Sequence, residues 1–162
     1  MRIGVVGDTH GNLDKLILAV QRMGSIDLLL FTGDHYRDIL RAELPEKLKV
    51  KAVRGNCDLE GPDHELIEAE DHKILLLHGH QYGVKGSLNS LVYRAQELGA
   101  DIVVFGHTHI PEIEREDGIL IFNPGSAARP RGASFYPTYG ILTLSEGGTY
   151  AHIEELRQDN GK

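Results

Sequence analysis

Two histidines, His107 and His109, stand in Gly106-His107-Thr108-His109, directly after the apolar run Ile102-Val103-Val104-Phe105. On a strand, side chains two residues apart point the same way. Just past a strand end they are free to diverge and face two different ions. Four more apolar runs end in the same manner. Ile3-Gly4-Val5-Val6 leads into Gly7-Asp8-Thr9-His10, and Leu28-Leu29-Leu30-Phe31 into Thr32-Gly33-Asp34. Val50-Lys51-Ala52-Val53 leads into Arg54-Gly55-Asn56-Cys57-Asp58, and Ile74-Leu75-Leu76-Leu77 into His78-Gly79-His80. Asp8, His10, Asp34, Asn56, His78, His107 and His109 are thus seven potential ligands, each just beyond a strand. Carboxylate, amide and imidazole together suit Mn2+, Fe2+, Zn2+ or Ni2+ better than Ca2+, which takes oxygen throughout, or structural zinc, which recruits thiolates. Seven ligands exceed what one ion takes from a protein. Two ions about 3.5–4 Å apart, bridged by a carboxylate, would use them all and would stabilise the attacking and leaving oxygens of an in-line displacement at phosphorus.

Convergence of the five strand ends requires a sheet in which ligands gather at the carboxyl ends of strands. Asn12 is a candidate N-cap, and Leu13, Leu16, Ile17, Val20 and Met23 have helical spacing, so residues from about Leu13 to Met23 are expected to form a helix ended by Gly24. Strand, helix, strand implies a parallel pair with a right-handed crossover. A short helix over Tyr36 to Glu43 and a strand over Val50 to Val53 follow. Asp63 to Glu70 stays open between strand edge and loop, because Gly61-Pro62 precedes it. Lys73 to Leu77 reads as a buried strand, and Ser87 as the N-cap of a helix carrying Leu88, Leu91, Val92, Ala95 and Leu98, closed by Gly99. From Glu112 to Leu156 four alternating runs joined by Asp117-Gly118 and Glu146-Gly147-Gly148 read as antiparallel hairpins. Two packed sheets with helices outside are expected.

Gly7-Asp8-Thr9-His10-Gly11-Asn12, Gly33-Asp34, Gly55-Asn56-Cys57-Asp58, His78-Gly79-His80 and Gly106-His107-Thr108-His109, in this order, resemble the signature blocks of the calcineurin-like metallophosphoesterases. The chain is most similar to their small bacterial and archaeal phosphodiesterase branch, from Met1 to about Leu144. The resemblance implies a four-layer αββα sandwich and a metal-dependent phosphodiesterase. It also implies Asp8, His10 and His109 on one ion, Asn56, His78 and His107 on the other, Asp34 between them, and a bridging hydroxide as nucleophile. Asp34, Asn56 and His78 stand closest to the chemistry in this reading. Two divalent ions per chain are expected, Mn2+ foremost, with Ni2+, Fe2+ or Zn2+ as alternatives.

Asn123-Pro124-Gly125-Ser126, followed by Arg129 and Arg131, resembles a further block near the site, and a guanidinium such as that of Arg131 matches phosphate geometry. His80 and Asp58 are candidates to orient ligands. His35, His64, His72 and His152 read as solvated or structural. In the monoesterase relatives a histidine stands where this chain has Cys57. A thiol is a weak donor without positive charge, which favours diesters over monoesters.

With 162 residues and 41% hydrophobic content, one domain over residues 1–156 is expected, followed by a flexible tail over 157–162. The formal charge of −7 argues against stable binding of nucleic acid or anionic membrane by bulk electrostatics. A single cysteine excludes an internal disulfide, and without a signal segment or bilayer-length apolar run the cytoplasm is the expected compartment. The expected partner is a small phosphodiester substrate, and a homodimer or homotetramer is compatible with the resemblance. The rival reading is a scaffold of this fold, the retromer subunit, whose metal site is altered. Here every ligand position holds a competent residue. A metallo-β-lactamase-type site would need His-x-His-x-Asp-His where Ile110 and Pro111 follow His109, and an aspartyl-phosphate phosphatase would need a carboxylate where His10 stands.

Overall fold

Ten strands, three α-helices and one 3-10 turn (His80–Tyr82) lie within residues 1–157, the residues described by the computed structural model. Strands β1 (Arg2–Val6), β2 (Leu28–Phe31) and β3 (Lys49–Ala52) pair in parallel, and β9 (Thr138–Ser145) and β10 (Gly148–Glu155) extend the same sheet antiparallel beyond β1. The second sheet holds β4 (His64–Ala69), β5 (His72–Leu77), β6 (Ile102–Val104), β7 (Pro111–Glu116) and β8 (Ile119–Pro124), in the order β4-β5-β6-β8-β7.

Residue alternation divides the core into three layers. Ile3, Val5, Leu28 and Leu30 from the first sheet meet Ile74, Leu76, Val104 and Phe122 from the second in the space between the sheets. The alternate residues Val6, Leu29 and Phe31 face outward under helix α1 (Leu13–Met23) and helix α2 (Tyr36–Arg41). Leu75, Leu77, Val103 and Phe105 do the same under helix α3 (Asn89–Leu98). Strands covered on both faces must be apolar on both faces, which is why β2 and β6 carry uninterrupted apolar runs. Each fully buried Leu, Ile or Phe contributes roughly 1.5–3 kcal/mol by leaving water. The layers are helix, sheet, sheet, helix, the expected αββα sandwich.

Local signals account for the helix ends. Asn12 caps α1, its Oδ1 accepting from the Lys15 N–H at 3.2 Å, and Leu16, Ala19, Val20 and Met23 form the buried stripe. Helix α2 stops at Arg41 instead of Glu43, because Ala42 is already extended ahead of Leu44-Pro45. Helix α3 starts at Asn89, so Leu88 and not Ser87 occupies the cap position. The Ser87 hydroxyl still accepts from the Asn89 N–H at 3.1 Å.

The open segment 63–70 is β4, an edge strand paired antiparallel with β5. The back half divides differently from expectation. Its two hairpins are antiparallel, but β8 runs parallel to β6, while β9 and β10 return to the first sheet. Alternation reports which face of a strand is buried and leaves its neighbour open. Residues 158–162 of the expected tail lie outside the described residues. No helix among the described residues is long and apolar enough to cross a membrane.

Candidate metal centre

The carboxyl ends of β1, β2 and β3 from one sheet and of β5 and β6 from the other deliver all seven candidate side chains to one place. Five of the seven sit in left-handed backbone: Asp8 (φ 50°), His10 (47°), Asp34 (59°), His107 (68°) and His109 (60°). This region costs a residue bearing a Cβ roughly 1–2 kcal/mol, and Asp and His tolerate it better than most. The donor chemistry and the backbone requirement therefore select the same residue types. Strain gathered at one spot is a mark of a functional site.

One group comprises Asp8, His10, Asp34 and His109, which can each bring a donor atom within 4.8 Å of the others and could hold a metal ion. His10 Nε2 and His109 Nε2 are 3.0 Å apart, Asp8 Oδ1 is 3.4 Å from His109 Nε2, and Asp34 Oδ2 is 3.6 Å from His10 Nε2. A second group lies across Asp34. His78 Nε2 is 3.5 Å from the same Asp34 Oδ2 and 3.1 Å from Asn56 Oδ1, and the His107 ring stands edge-on to His78 with centroids 5.1 Å apart. His107 and His109 thus diverge, one towards each group.

Ligand atoms crowd one another throughout. The Nδ1–H of His78 donates to the Thr32 carbonyl at 2.7 Å and that of His109 to the Arg129 carbonyl at 2.8 Å, which turns both Nε2 atoms into the site. Asp8 is fully buried; its Oδ2 accepts from the His107 N–H at 3.2 Å, while Oδ1 has no hydrogen-bond partner among the described residues. A buried carboxylate oxygen without a donor costs several kcal/mol. A cation among these acceptors would satisfy it, so the residues present fit a divalent ion.

Burial opposes ionisation of Asp34, but the hydrogen bond and charge of His78, with the Cys57 N–H at 3.1 Å, hold its carboxyl far below the usual range. Burial pushes His78 down, yet its hydrogen bond to the Asp34 carboxylate and the charges of Asp8 and Asp34 leave it raised. His107 is pushed down to about 4 by burial and by the charges of His78 and Lys85, against the pull of Asp8 and Asp34. It is therefore a neutral imidazole at neutral pH, ready to donate its lone pair. Burial lowers His10 as well, partly offset by Asp34 and Asp8.

Three supports hold these side chains. Asp38, buried in α2, accepts from Thr9 Oγ1 at 2.6 Å and from the Gly11 N–H at 3.0 Å, and so fixes the segment carrying Asp8 and His10. Sequence reading missed it; the only signal was an acidic residue on the buried side of a short helix, beside Ile39. Asn123 Nδ2 donates to the Gly106 carbonyl and to Thr108 Oγ1, both at 3.0 Å, and Ser126 Oγ donates to the Asp8 carbonyl at 2.8 Å. The block Asn123 to Ser126 thus clamps two ligand-bearing turns. At Gly55, a Cβ would lie 2.0 Å from Asp34 Oδ1. Gly55→Ala is expected to displace Asp34 and lower metal content and activity at least about tenfold while the circular dichroism spectrum stays unchanged. Full activity in that variant would contradict the close approach.

The remaining candidates differ in their contacts. Asp58 accepts from the Tyr36 N–H and the Gly55 N–H, each at 2.8 Å, so it closes the Asn56 loop onto α2 and does not reach the donor cluster. The His80 ring lies 5.4 Å from that of His78, and its buried Nδ1 has no partner among the described residues. Cys57 is exposed, and its thiol is pushed up by partial desolvation and by Asp34, so it stays neutral. Arg129 and Arg131 contact the site through backbone: His109 donates to the Arg129 carbonyl, and the Arg131 N–H donates to the His109 carbonyl at 3.1 Å. Of the other histidines, His72 begins β5, where its Nδ1 pairs with Asp101 Oδ2 at 2.5 Å and its Nε2 is 3.1 Å from Thr149 Oγ1. That is a structural bridge between the two sheets.

Residues 1–147 match the calcineurin-like phosphoesterase superfamily domain, and the chain belongs to that family. It is 39% identical over 147 residues to the probable metallophosphoesterase YsnB of Bacillus subtilis, covering 89% of this chain and 85% of that protein. It is 31% identical over 170 residues to phosphodiesterase YfcE of Escherichia coli K12, covering 88% and 87%. Among solved structures, wild-type Vps29 of Entamoeba histolytica in complex with zinc superposes with a TM-score of 0.71 at 26% identity, covering 97% of this chain and all of that one. Family, fold and a donor cluster able to hold a metal agree in making the chain a metallophosphoesterase.

Proposed function

We propose that the protein is a phosphodiesterase working with two divalent ions, one held by Asp8, His10, Asp34 and His109 and the other by Asp34, Asn56, His78 and His107. The observation that carries this reading is the position of Asp34 Oδ2, 3.6 Å from His10 Nε2 and 3.5 Å from His78 Nε2, where one oxygen serves both groups. When bound, such ions supply Lewis acidity that activates water and neutralises charge on the phosphoryl group. The mixed donor set suits Mn2+, Fe2+, Zn2+ or Ni2+, and the resemblance puts Mn2+ foremost.

In the reaction the water oxygen bonds to phosphorus, one phosphorus–oxygen ester bond breaks, and its electron pair leaves with the alcohol, which takes up a proton. A phosphomonoester remains. Thr32 and Arg129 keep His78 and His109 in the tautomer that aims Nε2 inward. Asn56 is a neutral ligand that leaves the site more positive than a carboxylate would. The net charge of −7 favours a small diester over a nucleic-acid polymer. The single cysteine favours a reducing compartment such as the cytoplasm.

Cys57 supports a diester in particular. Its backbone N–H holds Asp34 Oδ1 while its neutral thiol, 3.7 Å from Asn56 Nδ2, offers no positive charge to a dianionic monoester. Cys57→His is expected to raise the ratio of nitrophenyl phosphate to bis-nitrophenyl phosphate hydrolysis by about tenfold or more, since a positioned general acid contributes on the order of a hundredfold. Steady-state rates of both proteins under one metal test this; an unchanged ratio would remove Cys57 as the source of the preference. A scaffold role would instead leave the metal-loaded protein inert on every ester in a panel of mono- and diesters.

A further inference from the structure

A groove of about 610 Å³ opens beside the donor cluster, starting at Thr108, the residue between His107 and His109. Its walls come from the segment 84–88 after β5 and from the start of β7. Val84, Leu88, Ile110 and Pro111 make the apolar part, while Lys85 and Arg131 bring two cations to it. Both cationic side chains are exposed, and among the described residues neither forms a salt bridge. Glu112, half-buried at the β7 end, is the groove's one carboxylate and would turn an anion away from that end. Thr108 belongs to the turn between His107 and His109, and the Arg131 N–H donates to the His109 carbonyl at 3.1 Å, so the groove adjoins the ligand-bearing turn.

The groove therefore borders the turn that carries His107 and His109 and combines an apolar wall with two cations. Its volume lies within the roughly 300–1,000 Å³ typical of ligand sites, far more than the nitrophenyl group of a test substrate fills. Two cations lining one groove of an acidic protein make it a local site of attraction for an anion.

We propose that the groove receives one arm of the diester, a flat apolar body that carries a second phosphate, as in a phosphorylated nucleoside. The apolar wall takes the body, and Lys85 and Arg131 take the added phosphate. This deepens the phosphodiesterase reading above and rests on it. The substrate class is a short, doubly phosphorylated diester of dinucleotide size.

The test compares thymidine dinucleotide with the same compound carrying a terminal phosphate, using metal-loaded enzyme, with bis-nitrophenyl phosphate as a reference for activity. Wild type is expected to favour the phosphorylated dinucleotide about tenfold in kcat/KM, through KM, and the Lys85→Ala/Arg131→Ala protein to show a ratio near one. Reading the ratio cancels any loss common to both substrates. Calorimetric titration of the metal-free protein with the phosphorylated dinucleotide should show a matching loss of affinity in the double variant, without turnover. Hydrolysis of bis-nitrophenyl phosphate with no preference between the dinucleotides would overturn the groove assignment and leave the phosphodiesterase reading standing. A preference kept by the double variant would overturn it too, as would an equal loss on both substrates, which assigns the cations to the scissile phosphate. If none of the three diesters is cleaved, the phosphodiesterase reading fails, and the calorimetry alone decides the groove: affinity dependent on Lys85 and Arg131 upholds it, and its absence overturns it.

Discussion

Replacing Asp34 with asparagine is expected to lower kcat/KM on bis-nitrophenyl phosphate by about a thousandfold or more, against about a hundredfold for His10→Ala. Loss of groups that merely orient a ligand already costs on the order of 10- to 100-fold, and Asp34 stands between both donor groups. The substitution is nearly isosteric, so it leaves the packing around β2 intact and isolates the charge. That charge matters because Oδ2 faces His10 and His78 while Oδ1 is occupied by the Cys57 N–H at 3.1 Å. An amide there would present either a neutral oxygen or an N–H to the position a cation needs. His10→Ala removes one donor from one group only. Rates measured together with metal content separate the two cases. An Asp34→Asn protein within a few-fold of wild type that kept both ions would exclude the bridging role.

The sequence made the site more legible than the sheet. Each donor follows an apolar run and each run is a strand, so the convergence of Asp8, Asp34, Asn56, His78 and the His107–His109 pair follows from strand direction alone. The split of His107 and His109 towards different groups follows from their position past the end of β6. The pairing of β8 with β6 was not legible, because the unbroken apolar run Ile119 to Phe122 reports burial on both faces and leaves the direction of its neighbour open. Nor was the buried Asp38, since one acidic residue in a six-residue helix looks like any solvated one. The left-handed backbone at five of the seven donors was also hidden, because nothing in a sequence marks φ at a residue other than glycine or proline. The clamp by Asn123 and Ser126 was half visible: the block resembled a known one, but its hydrogen bonds to the turns at Asp8 and Gly106 required coordinates.

Binding of both ions decides the account most directly. The seven donors, with Asp8 Oδ1 buried and unpartnered, should hold two divalent transition ions per chain and leave the protein inactive once they are removed. Chelation followed by stepwise return of Mn2+, with metal content measured by elemental analysis and turnover of bis-nitrophenyl phosphate measured at each step, gives stoichiometry and activity together. The expected result is no hydrolysis in the stripped protein, and activity that rises to its full value as occupancy reaches two ions per chain. Full activity with one ion or none would contradict it.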